Sequence, residues 1–73
     1  MNGRERDPRL GNVRLGEGAR VDPEALLGYL SPRRGVSADL VIGNGAGVRS
    51  GTVIYAGSSI GNGLETGHNV VIR

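Results

Sequence analysis

Residues 42–60 read Ile42-Gly43-Asn44-Gly45-Ala46-Gly47-Val48-Arg49-Ser50-Gly51-Thr52-Val53-Ile54-Tyr55-Ala56-Gly57-Ser58-Ser59-Ile60, and an aliphatic residue returns at every sixth position. Followed outward, the column runs Leu30, Val36, Ile42, Val48, Ile54, Ile60, Thr66, Ile72, with Thr66 its polar member. A period of six is not the roughly 3.6 of a helix, but as a multiple of two it keeps one strand face turned inward. Three residues beyond successive inward positions stand Gly45, Gly51, Gly57, Gly63 and Asn69. Glycine reaches positive φ without steric cost and asparagine tolerates it, so the chain is expected to turn a corner once per repeat. Four residues beyond, Ala46, Thr52, Ser58 and Val70 are small or slim, as a crowded corner requires, and Leu64 departs from the pattern.

Short strands joined by regular corners bury their aliphatic faces only by coiling and stacking on themselves, which predicts an all-β parallel solenoid. A looser run, Leu15, Val21 and Leu27, has the same spacing, but Leu30 follows Leu27 by three residues. That slip predicts an insertion or bulge, placed in a loop at residues 28–35 (GYLSPRRG). Pro32 cannot donate to a strand ladder there, and burial of Arg33 and Arg34 would be costly. Residues 1–14 read as a short charged, flexible N-terminal tail and residues 15–73 as the solenoid. Ile72 is followed by one residue and no polar capping unit. The last coil is therefore expected to be uncapped, as in part of a longer helix or one covered by another chain.

Composition narrows the function. One domain is the ceiling for 73 residues, and with no cysteine and a single histidine the chain offers neither disulfides nor a metal site. Nine basic residues, all arginine, against seven acids give a net charge of +2, too small to argue for nucleic acid. No apolar run reaches the length of a membrane span, so a cytoplasmic location is expected.

The repeat aliphatic, Gly, x, Gly or Asn, small, x resembles the hexapeptide-repeat family of left-handed parallel β-helices, in which three repeats make one triangular coil. The resemblance implies about three coils, with residues eighteen apart stacked. The stacks would be Leu30, Val48, Thr66; Val36, Ile54, Ile72; and Ile42 with Ile60. Arg49-Ser50-Gly51-Thr52-Val53-Ile54-Tyr55-Ala56-Gly57 and Glu65-Thr66-Gly67-His68-Asn69-Val70-Val71-Ile72-Arg73 are similar to a branch of these proteins that acylates sugars and small metabolites. That likeness implies a homotrimer, acetyl-CoA or another acyl-CoA as co-substrate, a small-molecule acceptor and a histidine base.

His68 is the residue with base chemistry in its ordinary range, since imidazole titrates near pH 6.5 or so and can take a proton from an attacking hydroxyl or amine. The plain alternative is a solvated corner histidine. Asn69 is expected at a positive-φ corner with its amide available to substrate, and Glu65 either orients His68 and the substrate or is simply exposed. Tyr55 is placed on the outer face, at a subunit contact or against substrate. Arg49, ahead of Arg33 and Arg34, is the candidate for the phosphates of CoA. The Thr66 hydroxyl is expected to face inward and bond a nearby carbonyl.

The leading expectation is an acyl-CoA-dependent acyltransferase in which the acceptor attacks the thioester directly. No covalent intermediate is expected, because cysteine is absent and the serines lack a base partner in sequence. The 73-residue stretch alone is expected to be an incomplete, N-terminal part of such an enzyme with little or no turnover. The alternative is a non-catalytic β-helix module for trimerisation or scaffolding. Gly57-Ser58-Ser59-Ile60-Gly61 matches a hydrolase nucleophile elbow by letter, but its glycines belong to the repeat and no helix follows. The glycines at 43, 45 and 47 fail as a dinucleotide fingerprint for the same reason. A metal-dependent carbonic anhydrase needs three histidines, and an ice-binding face needs a threonine ladder that Thr52 and Thr66, in different columns, do not make.

Overall fold

A computed structural model describes residues 12–30 and 35–73. Most of the predicted tail, and Pro32, Arg33 and Arg34 of the predicted loop, lie outside the described residues. Among the described residues there is no helix, and eight short strands follow one another: β1 (Val13–Leu15), β2 (Arg20–Val21), β3 (Leu26–Tyr29), β4 (Leu40–Ile42), β5 (Gly47–Val48), β6 (Val53–Tyr55), β7 (Ser59–Ile60) and β8 (Val71–Ile72). They form three parallel sheets, which the chain visits in fixed rotation. Sheet A has the order β1-β4-β7, sheet B is β2-β5, and sheet C is β3-β6-β8. A bridge from Gly47 to Glu65 carries sheet B into the third circuit.

Register shows which residues stack. Leu15 lies beside Ile42 and Ile42 beside Ile60; Val21 lies beside Val48; Leu27 lies beside Ile54 and Ile54 beside Ile72. The expected spacing of eighteen holds from Ile42 onward, but the first circuit pairs twenty-seven residues away. Leu30 and Val36 are accordingly not in the core. Leu30 is 61 % exposed and Val36 36 %, while the earlier run of Val21 and Leu27 takes their predicted places. Of the nine extra residues one is Gly28, inside β3, and eight fall between Tyr29 and Val41; of these, Val36 rests against the corner at Gly57, its Cγ1 only 2.5 Å from where a Cβ on Gly57 would stand.

One residue of the slip is local to β3. Gly28 sits in β3 at φ +76°, and the pairing shifts between Leu27 and Tyr29, so Gly28 is a one-residue bulge rather than a loop residue. The Asn12 amide donates to Gly28 O at 3.1 Å and to Ala38 O at 2.6 Å, tying the bulge to the far side of the inserted segment.

Alternation along each strand turns two columns inward, not one. Ala46 and Thr52, expected only to be slim beside a corner, are completely buried next to Val48 and Ile54, two residues on. The core is therefore Leu27, Leu40, Ile42, Ala46, Val48 and Ile54. Residues of the middle circuit are covered from above and below, whereas Val21, Ile60 and Ile72 of the flanking circuits are only half-buried. The corner column keeps its predicted conformation, with φ of +73° at Gly45, +80° at Gly51, +96° at Gly57, +82° at Gly63 and +59° at Asn69.

Candidate functional site

The corner from sheet B to sheet C occurs three times, as Asp22-Pro23-Glu24, Arg49-Ser50-Gly51 and Gly67-His68-Asn69, and the three lie one above another. Ser50 is held between its neighbours by its backbone. Its N–H donates to Asp22 Oδ2 at 2.9 Å, and its carbonyl accepts the Asn69 N–H at 3.1 Å. With the backbone clamped on both sides, the Ser50 hydroxyl oxygen lies 2.9 Å from Nδ1 of His68. Ser50 is half-buried and His68 exposed, so both reach solvent.

The layer beneath is a chain of hydroxyls. Thr52 is fully buried and donates to Gly67 O at 3.0 Å while accepting the Val70 N–H at 3.4 Å. Since that donation uses the Thr52 proton, the 3.3 Å contact between the two threonines is a donation from Thr66 to Thr52. Thr66 Oγ1 in turn accepts the Arg49 N–H at 3.0 Å. Thr66 thus breaks the aliphatic column without loss: its hydroxyl bonds another hydroxyl and an amide, where a carbonyl had been expected. It fastens Arg49, the residue before Ser50. No buried side-chain polar atom among the described residues lacks a partner.

The remaining predicted site residues fall in three places. Asn69 occupies the corner beside His68 at positive φ, with Oδ1 where a Cβ on Gly51 would otherwise stand. Arg49 is exposed in the same corner. Glu65 points along the outside of sheet B, where its carboxylate lies 3.7 Å from the Arg20 guanidinium, and both side chains are well exposed. Its partner is Arg20, while His68 is held by Ser50. Tyr55 lies at the opposite end of β6, edge-on to Tyr29 with centroids 5.1 Å apart, and the Arg73 guanidinium sits 5.7 Å from its ring centre. The corner therefore gathers His68, Asn69 and Arg49, and leaves Glu65 and Tyr55 on the faces to either side.

Sequence reasoning missed Ser50 and Asp22. The expectation that no serine has a base partner is corrected by the Ser50–His68 contact, and the signal was present: Ser50 precedes His68 by eighteen residues, the stacking distance. Chemically, the pair has two forms. With the proton on Nδ1, His68 donates to Ser50 and turns a lone pair on Nε2 outward; with it on Nε2, Nδ1 accepts the serine proton.

Among the described residues no three His, Asp or Glu side chains cluster as a metal site, and no helix is long and apolar enough to cross a membrane. No protein-family model, curated protein or solved structure matches the chain.

Proposed function

We propose that the chain is a left-handed parallel β-helix of the hexapeptide-repeat type and that it serves acyl transfer from acetyl-CoA or another acyl-CoA to a hydroxyl or amine of a small metabolite, in a homotrimer. The rotation through three parallel sheets, the eighteen-residue register and the positive-φ corners support the architecture. The observation that carries the activity is the Ser50–His68 contact, which orients an exposed imidazole at a corner. His68 Nε2 takes the acceptor's proton as its oxygen or nitrogen attacks the thioester carbonyl, while Ser50 holds the tautomer from Nδ1. Arg49 meets the phosphates of the donor, Asn69 contacts the acceptor beside His68, Glu65 reaches it only from the adjoining face of sheet B, and Tyr55 lies toward a second subunit.

The test is thiol release from acetyl-CoA with a panel of sugar and amine acceptors, together with binding of CoA followed at the His68 and Arg49 resonances. Acceptor-dependent release that falls by roughly 10²–10⁴ in His68→Ala supports the reading. No binding and no release with any acceptor sinks it.

A second reading, a non-catalytic trimerisation module, is favoured by one observation. The outer face of sheet C carries Leu26, Val53 and Val71 in register, with Tyr29 and Tyr55 beside them, whereas the outer face of sheet B carries Arg20, Gly47 and Glu65. That module would assemble without binding CoA and would be indifferent to His68→Ala.

A further inference from the structure

We propose that Ser50 is itself a nucleophile, with His68 Nδ1 as its base, and that it accepts an acyl group from thioester or activated-ester donors to form an O-acyl serine. This goes beyond transfer to an acceptor, because the hydroxyl closest to the imidazole in this fold belongs to the protein.

Three features set the geometry. The Oγ–Nδ1 distance of 2.9 Å is that of a nucleophile and its base. The backbone that carries the hydroxyl is fixed, since Ser50 is bonded through its N–H to Asp22 in one circuit and through its carbonyl to Asn69 in the next. The residue after it is Gly51, whose N–H makes only a long 3.4 Å contact to Glu24 O and whose missing side chain leaves room for the Asn69 carboxamide beside the site. With Ser50's own N–H held by Asp22, the Gly51 N–H is the next backbone donor along the chain, and it would turn from Glu24 O to a developing oxyanion.

With the resting proton of His68 on Nε2, Nδ1 accepts the serine proton as Oγ bonds to the thioester carbonyl carbon. The C–S bond then breaks and the departing sulfur takes the proton from Nδ1, giving acyl-Ser50, a free thiol and a neutral imidazole ready for the second step. Water or an acceptor hydroxyl attacks the ester carbon in the second step and passes its proton through Nδ1 to the departing Oγ. Asp22 acts on the serine backbone and not on the imidazole, so the pair is a dyad without the carboxylate that orients histidine in a triad.

The chain has neither lysine nor cysteine, so few side chains compete for an acyl donor. Incubation with p-nitrophenyl acetate, and separately with acetyl-CoA, should add one acetyl group that peptide mass spectrometry places on Ser50. His68→Ala should slow that labelling by about 10²-fold. Ser50→Cys should be acylated faster than the native serine, as a thioester, which keeps the test open should Ser50→Ala disturb the fold. Acetyl found instead on Ser58, Ser59 or the α-amine, or labelling of Ser50 at an unchanged rate in His68→Ala, overturns the proposal. The two proposals fail separately. Acceptor-dependent thiol release with unlabelled Ser50 removes this one and leaves direct transfer, whereas labelled Ser50 with no acceptor turnover does the reverse.

Discussion

Asn62 places its side-chain oxygen 2.8 Å from the backbone nitrogen of Asn44, eighteen residues earlier, and Asn44 treats Glu17 the same way, also at 2.8 Å. Each carboxamide thus accepts the N–H of the neighbouring circuit at the corner from sheet A to sheet B, and the space it uses is the space a Cβ on the preceding glycine would fill. At Gly43 that Cβ would stand 2.8 Å from both Asn62 N and the Gly61 carbonyl carbon, neither of which is free to move. At Gly47 it would stand 2.9 Å from Glu65 Oε1, the end of an exposed side chain. Gly43→Ala should therefore cost about 1–3 kcal/mol or more, and Gly47→Ala less than about 1 kcal/mol, in urea unfolding. Equal losses would show that the corner is less tightly stacked than it is here.

The two threonines beneath the site share one hydrogen-bond chain. Thr52→Val leaves the Val70 N–H and the Gly67 carbonyl without their hydroxyl, and Thr66→Val leaves the Arg49 N–H without its acceptor. Each change should cost about 1–3 kcal/mol, and the double variant less than their sum, since the mutual contact is lost only once. Strict additivity in a double-mutant cycle would mean that the 3.3 Å contact contributes nothing.

Leu27 and Leu30 are chemically identical and three residues apart, yet one is 2 % exposed and the other 61 %. Leu27→Ala should destabilise by about 2–5 kcal/mol, while Leu30→Ser should stay within about 0.5 kcal/mol. The same pair of unfolding curves separates this register from the one in which Leu30 heads the stack: in that case the two effects would be exchanged.

Self-association, if it uses the apolar outer face of sheet C, should respond to charge there and nowhere else. Val71→Glu places a carboxylate among Leu26, Val53 and Tyr55, so it should shift the sedimentation profile from trimer to monomer. Arg14→Glu on β1, also exposed, should leave the profile unchanged. A trimer that survives Val71→Glu would place the subunit contact on another face.

Much of the architecture is legible because it repeats. The glycine and asparagine column marks every corner it was read to mark, since positive φ is a property of the single residue. The inward column is right from Ile42 onward and wrong at Leu30 and Val36. A hexad count carries the phase forward but does not show that Gly28 bulges out of β3 and that eight more residues are inserted between Tyr29 and Val41. The candidate site divides in the same way. His68 stands out because it is the chain's one imidazole, and Asn69 because a non-glycine at a corner must tolerate positive φ. Glu65, read either as a helper of His68 or as an exposed carboxylate, is the exposed carboxylate, because alternation turns it onto sheet B toward Arg20.

By itself the sequence determined the corners from Gly45 onward, the strands between them and the aliphatic nature of the interior, all of which depend on a residue and its near neighbours along the chain, whereas β1 and the end of β3 fall where a tail and a loop were expected. Which circuit lies on which was decided only in three dimensions, because stacking partners stand eighteen or twenty-seven residues apart and the bulge at Gly28 together with the insertion between β3 and β4 changes the offset for everything before them. The Ser50–His68 contact belongs to that second kind: His68 stands out in the chain but nothing beside it points to Ser50, and the 2.9 Å between them exists because two corners of the same shape are laid one upon the other.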